Sequence, residues 1–226
     1  MLSTYAGKRI SVIIPAAGAN TRLTGTVAPF LKPTILCDGR PLIQHAYEHA
    51  WNDWQVPEDQ THVVVSPDNA TIIPKLVPLA TTSTVHFVLQ PNVTGIVNAI
   101  YRGLIGIDTE WTLILCADNV FRIKPEHPLT DDLKPLFGSK TLTCKDASRF
   151  TTFEDDTFLP AATNKGGTLD NICWIGPLLL PTAILKECLY KNESSIIRLL
   201  NRIHRMHAIL PHIMDCSDMG VAEELL

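Results

Sequence analysis

The residues of this chain best suited to chemistry begin at Pro15-Ala-Ala-Gly-Ala-Asn-Thr-Arg22. Small side chains at Ala16, Ala17, Gly18 and Ala19 let the backbone approach a ligand closely. Successive N–H groups through Asn20 and Thr21 can cradle phosphate oxygens. Arg22 closes the stretch with a planar fork of donors that matches such oxygens. Lys32-Pro33 follows ten residues later and adds a second cation to the same loop. The plain alternative is a surface loop whose cations face water. Further along, Gln90 and Gly95 follow an apolar run, and so does Asp118. Taken singly, the first pair reads equally as the start of a helix and the aspartate as a turn or cap residue.

The elements around these residues give them a common place. Ile10-Ser-Val-Ile-Ile-Pro15 is almost continuously apolar, as a parallel strand buried on both faces must be. A helix is expected from Pro41 to about Trp51, with proline in its first turn. Strands are expected over His62–Ser66, Val85–Leu89 and Trp111–Cys116. Helices are expected from Asp68-Asn69 to about Leu76 and over Thr94–Leu104. Alternation of this kind predicts an α/β fold with a doubly wound, mostly parallel mixed sheet flanked by helices. Ligands of such sheets bind at the carboxyl ends of strands, where Asp118 and the loop after Pro15 both fall. The second half is less regular. Strands are expected over Lys140–Lys145, Phe150–Phe158, Leu169–Ile175 and Ile209–Met214, helices over Ile184–Tyr190 and Ser194–Met206, and a closing helical turn over Val221–Leu226. Glu154-Asp155-Asp156 reads as a surface hairpin turn.

Composition narrows the class. The 226 residues suffice for one sizeable core and fit a single α/β domain spanning 1–226. With 46% hydrophobic and 19% charged residues and a net charge of −4, no general nucleic-acid surface is expected. The only clustered cations are Arg198, Arg202 and Arg205 with His204. The six cysteines stand singly, without metal-ligand spacing, and read as reduced core thiols. His204, His207 and His212 form no coordinating set, and Cys116 has no histidine partner that would make it a nucleophile. No signal peptide and no apolar run of the roughly 20 residues that span a bilayer are found. The expectation is a cytoplasmic protein without a membrane partner.

Val12-Ile-Ile-Pro-Ala-Ala-Gly-Ala-Asn-Thr-Arg-Leu23, Lys32-Pro33 and Gly39-Arg-Pro-Leu-Ile-Gln44 together resemble the signature of sugar-phosphate nucleotidyltransferases, the family of glucose-1-phosphate uridylyl- and thymidylyltransferases. Asn20 stands where the family usually has glycine, and asparagine is the side chain that best tolerates a left-handed backbone. By this resemblance the fold is the Rossmann-like nucleotidyltransferase fold, shared in its nucleotide half with GT-A glycosyltransferases. Residues 16–21 and Arg22 hold the triphosphate, and Lys32 bridges the phosphates of the two reactants. Gln90-Pro-Asn-Val-Thr-Gly95 is similar to the element whose glutamine amide reads the base edge. An amide that donates and accepts at once suits uracil or thymine. Asp118, after Leu113-Ile-Leu-Cys-Ala117, matches the carboxylate that holds Mg²⁺. Asp218-Met-Gly220 matches the second metal carboxylate, with Val221 in place of the family's threonine and Asp215 as a rival. Lys165 corresponds to the lysine that clamps the acceptor phosphate, although Asn164 and Gly166 replace its usual glutamate and proline neighbours. Asn119, Asn171 and Gly176 fall at the sugar pocket.

The resemblance implies an NTP, with UTP or dTTP favoured by Gln90, joined to a sugar 1-phosphate with release of pyrophosphate and a requirement for Mg²⁺. A homo-oligomer is compatible with it. Three other readings stand beside it: a CTP-dependent phosphocholine-type cytidylyltransferase, a GT-A glycosyltransferase, and a non-catalytic nucleotide-binding protein. The second fits less well, because such enzymes commonly carry Asp-x-Asp where this chain has Ala117-Asp-Asn119.

Overall fold

The computed structural model describes residues 7–18, 29–77, 85–121, 135–142, 151–160, 171–191, 193–213 and 216–218. In chain order the strands and helices are β1 (Ile10–Pro15), β2 (Leu36–Cys37), β3 (Arg40–Pro41), α1 (Leu42–Asn52), β4 (Thr61–Val65), α2 (Ile73–Leu76), β5 (His86–Leu89), α3 (Ile96–Leu104), β6 (Trp111–Ile114), β7 (Asn119–Phe121), β8 (Leu136–Leu142), β9 (Thr151–Glu154), β10 (Thr157–Pro160), β11 (Asn171–Pro181), α4 (Thr182–Cys188), α5 (Ile196–His207), β12 (Pro211–Ile213) and β13 (Cys216–Asp218). A nine-stranded sheet organises them, with its main path in the order β10-β9-β11-β6-β1-β4-β5. Strands β6, β1, β4 and β5 are parallel, whereas β11 runs antiparallel to β6, β8 and β9.

The apolar run of β1 is continuous because both of its faces are covered. Val12 and Ile14 point to one side, where Ile43, Ala46, Tyr47 and Ala50 of α1 pack on them with Trp54 and Ile73. Ile13 points to the other, into a cluster with Val97 and Ile100 of α3 and Leu199, Leu200 and Ile203 of α5. Helices therefore cover both faces of a mixed sheet, as expected. The order along the sheet reverses at β1. The chain moves outward through β4 and β5, then returns to place β6 on the opposite side of β1.

The parallel strands and helices α1, α3 and α5 lie within a residue or two of their expected places. Other segments depart from expectation. The helix expected from Asp68-Asn69 is confined to Ile73–Leu76, and residues 67–72 form turns. Asn69 is drawn out of a capping role because its side chain is bonded elsewhere. The strand expected over Phe150–Phe158 is split at Asp155-Asp156, both with positive φ (46° and 57°), which closes the β9–β10 hairpin. Strand β11 runs on past the expected end at Ile175 as far as Pro181. It does so through a register shift between Trp174 and Leu178. Gly176 sits within that bulge at φ +140°, a conformation that glycine adopts without strain. The turn expected over Val221–Leu226 lies outside the described residues. Among the described residues no helix is long and apolar enough to cross a membrane.

Candidate functional site

The switch between β1 and β6 opens a cleft of about 230 Å³ at the carboxyl ends of the parallel strands. Its lining comes from three strand ends: Pro15, Ala16 and Gly18 after β1, Gln90 and Gly95 after β5, and Cys116, Ala117 and Asp118 after β6, with Lys32 closing one side. Each strand end is fixed by a ladder bond just beyond the strand. Ala16 N–H donates to Val64 O (2.8 Å), Gln90 N–H to Val65 O (2.8 Å) and Leu115 N–H to Ile13 O (3.0 Å).

Ala16 is also held from the other side, where Asn69 Nδ2 donates to its carbonyl (2.8 Å) while Asn69 Oδ1 accepts from Ser66 N–H (2.9 Å). The Ala16 N–H is committed to Val64 and is not available to a phosphate. Ala17 is fully buried in the core. Of the phosphate-cradling stretch, Ala16 and Gly18 line the cleft. Ala19, Asn20, Thr21 and Arg22 lie outside the described residues, as does Lys165.

Lys32 stands in a 3₁₀ turn over Pro29–Thr34 and is 6% exposed. Its Nζ donates to Asp118 Oδ2 across the cleft. Burying an ammonium costs free energy unless an anion and hydrogen bonds offset it, so this lysine is placed rather than left to wander. A small satellite core does the placing. Cys37 of β2 and Leu42, just after β3, pack on Val120 of β7. The Leu42 N–H donates to Ile35 O, and the Ile35 N–H to Lys32 O. The Gly39–Gln44 element thus ties the lysine turn to the strand that follows Asp118.

Gln90 is 1% exposed and lines the cleft. Its Nε2 donates to Gly95 O (3.1 Å) and to Asn98 Oδ1 (3.2 Å). Both amide hydrogens therefore have acceptors within the protein, where the sequence pattern implies an amide that reads a base edge. What the side chain can still offer is its oxygen. Gly95 itself has φ 107° and ψ 175°, a backbone state open to glycine alone, and it initiates α3.

The antiparallel half adjoins the cleft next to Cys116 and Asp118. Strand β13 pairs with β7 so that Asp218 lies opposite Asn119 and therefore next to Asp118 in the ladder. Paired residues have Cα atoms about 5 Å apart. The backbone thus brings together the two carboxylate residues that the sequence places a hundred positions apart. Asn119 is 2% exposed, and its N–H donates to Cys116 O (3.2 Å). Its side chain lies directly over Gly176: a Cβ on that glycine would collide with Asn119 Nδ2 and stand 3.4 Å from Cys116 Sγ. Asn171 opens β11 opposite Leu142 of β8, beyond the bulge from Gly176.

Mg²⁺ asks for one or two carboxylates and completes its shell with phosphate oxygens and water. Asp118 is one-third exposed at the cleft, and the backbone of Asp218 lies beside it in the ladder, so these two are the carboxylates the sequence pattern assigns to such an ion. Among the described residues no group of three or more His, Cys, Asp or Glu stands together, and such a cage is not what this ion requires. The arginine cluster on α5 lies elsewhere and is partly structural. Arg202 bonds Cys188 O (2.6 Å) and Glu193, and stacks over Tyr190. His204 is likewise bonded, to Ile209 O and Asp156.

Sequence reasoning missed Asn69 and Asn98. Asn69 stands at the start of an expected helix and Asn98 within one, and nothing local distinguishes the first from a cap or the second from an ordinary helix residue.

No protein-family model matches the sequence, and no curated protein matches it. Solved structures do. A UDP-glucose pyrophosphorylase complexed with UDP-glucose is 18% identical, with 96% of each chain covered and a TM-score of 0.71. HddC from Yersinia pseudotuberculosis complexed with GMP-PN is 17% identical, with 95% of this chain and 96% of that one covered and a TM-score of 0.66. A protein described as a glucose-1-phosphate thymidylyltransferase from Bacillus anthracis, in complex with sucrose, is 15% identical, with coverage of 96% and 92% and a TM-score of 0.70. The chain has the fold of sugar-phosphate nucleotidyltransferases.

Proposed function

We propose that this chain transfers a nucleotidyl group from a nucleoside triphosphate to a sugar 1-phosphate and releases pyrophosphate. The observation that carries the reading is the buried Lys32 ammonium on Asp118 at the switch point of the sheet, inside a cleft walled by Gln90 and Gly95. An acceptor phosphate oxygen attacks the α-phosphorus. The bond from that phosphorus to the bridging oxygen breaks, and pyrophosphate departs with the electron pair. The nucleophile is already an anion, so no general base is needed. The obstacle is repulsion between two anions.

Lys32 lowers that repulsion by donating to phosphate oxygens once substrate draws it from Asp118. Arg22 and Lys165 are assigned to the triphosphate and the acceptor phosphate on the sequence pattern. Asp118 and Asp218 would hold Mg²⁺, which supplies charge neutralisation at the phosphates. Asn119, Asn171 and Gly176 are assigned to the acceptor side. Positioning of the two reactants contributes up to roughly 7–11 kcal/mol in favourable cases. The nucleotides named for similar folds carry uracil, thymine or guanine, so GTP joins UTP and dTTP as a donor to be tested.

The test is pyrophosphate release by purified protein with Mg²⁺, crossing UTP, dTTP, GTP, CTP and ATP with a panel of sugar 1-phosphates and phosphocholine. Release that needs one NTP and one sugar 1-phosphate, and stops with EDTA, is expected. Release with CTP and phosphocholine alone would replace the sugar reading. Absence of release from protein that binds an NTP would leave a nucleotide-binding protein.

A further inference from the structure

We infer that Asn98 is a specificity-determining positioning residue. With the Gly95 carbonyl it fixes the Gln90 amide so that the cleft meets the nucleobase with an acceptor, selecting bases that carry a ring N–H donor. The inference rests on the nucleotide-binding reading of the cleft. Gln90 Nε2 has two hydrogens, and the structure gives each an acceptor, Gly95 O at 3.1 Å and Asn98 Oδ1 at 3.2 Å. The Gly95 bond fixes which end of the amide is nitrogen, because a backbone carbonyl only accepts. The main chain of Gln90 is itself held, by its N–H to Val65 O. The side chain is buried at the wall of the cleft, which leaves Oε1 as the polar atom of this amide to meet a ligand. A carbonyl oxygen in that place pairs with N3–H of uracil or thymine or N1–H of guanine. Cytosine N3 and adenine N1 are acceptors, so they would face it lone pair to lone pair. Asn98 sits on the first turns of α3, half-buried, three residues beyond the Gly95 that starts the helix. If it could not accept, the amide would keep one anchor and could turn its nitrogen toward the base.

The experiment measures equilibrium binding of UTP, CTP and 3-methyluridine triphosphate, the last lacking the ring N–H. The proteins are wild type, Asn98→Leu, which is similar in size and cannot accept, and Asn98→Asp, which can. Pyrophosphate release is recorded in parallel. In wild type, UTP is expected to bind at least roughly 10-fold more tightly than either competitor, the lower range for leaving a buried acceptor unpaired. In Asn98→Leu the UTP:CTP ratio falls by roughly 10-fold, and in Asn98→Asp it stays within about threefold of wild type. A ratio unchanged in a folded Asn98→Leu protein, or wild type that binds 3-methyluridine triphosphate as tightly as UTP, overturns the inference. Base selection without any pyrophosphate release would retain it and remove the transferase reading. Failure to bind any of these triphosphates or GTP would remove both.

Discussion

The wall of the cleft on the parallel side and the antiparallel strands beside it are held by different physics. On the parallel side, polar groups are fixed by hydrogen bonds. Ala16 is bonded through both its N–H and its carbonyl, and Gln90 through its main chain and both amide hydrogens. On the antiparallel side, position follows from a missing side chain. Strand β11 bulges at Gly176, and Asn119 occupies the space a Cβ would fill. The first is preorganised by directed bonds and tolerates little change of polarity. The second is set by close packing and tolerates little change of volume.

The largest effects should come at the residues assigned to the reacting phosphates. Lys32→Ala is expected to lower turnover by roughly 10²–10³-fold, the usual loss for one charge-stabilising donor. Asp218→Asn, from the antiparallel side, should cost about as much, on the order of 10²-fold. Steady-state kinetics on folded protein tests the pair. Lys32→Ala retaining more than a third of wild-type turnover would sink the assignment of this cleft, whichever side proved sound.

Gly176→Ala sharpens the contrast from the packing side. The added methyl meets Asn119 Nδ2, and φ +140° is a conformation that alanine rarely adopts. Together these should cost roughly 2–4 kcal/mol of stability. Kinetically the acceptor KM should rise more than the nucleotide KM, since the displaced Asn119 is assigned to the acceptor side. Asn69→Ala tests the hydrogen-bonded wall. It strands the Ala16 carbonyl and the Ser66 N–H, for an expected loss of about 1–3 kcal/mol in urea unfolding. It should raise the nucleotide KM and spare that of the acceptor. Equal effects of both variants on both KM values would erase the distinction.

The sequence made the parallel wall legible because its signals are local. A continuous apolar run ending in small residues marks β1, and similar runs mark β4, β5 and β6 to within a residue or two. Their carboxyl ends collect Gly18, Gln90 and Asp118 at one cleft, with Lys32. The bonds that lock this wall were not legible, because they depend on distance in space. Asn69 looks like a helix cap, yet its partner Ala16 lies 53 positions away. The Gln90 amide looks free until Asn98 is brought beside it by the first turns of α3. The antiparallel side was harder still. Gly176-Pro177 reads as the end of a strand, and only the pairing of β11 with both β8 and β6 shows a bulge within one.

The smallest effect concerns two buried histidines, one in each half. His204, on the antiparallel side, is bonded at both ring nitrogens, to Ile209 O and to Asp156. His62, on β4 in the parallel half, has no hydrogen-bond partner for Nδ1 among the described residues. Burial, reinforced by the His86 ring 4.9 Å away, pushes its pKa down to about 4, against a weaker opposing contact from the Gly103 backbone. An unfolded histidine titrates near 6.5. Above that pH neither state binds the proton, and the contribution to stability is complete. As pH falls from 6.5 towards 4 the unfolded chain takes up a proton that the folded chain refuses, and stability declines. Discounted for water near the ring, the loss by pH 5 should be about 1 kcal/mol. Burial also lowers the pKa of His49, so the readout is a difference. The fall in Tm between pH 7 and pH 5 should be smaller in His62→Gln than in wild type. A fall of equal size in the two proteins would mean that the ring is hydrated in solution and that this end of the parallel half is looser than the cleft end.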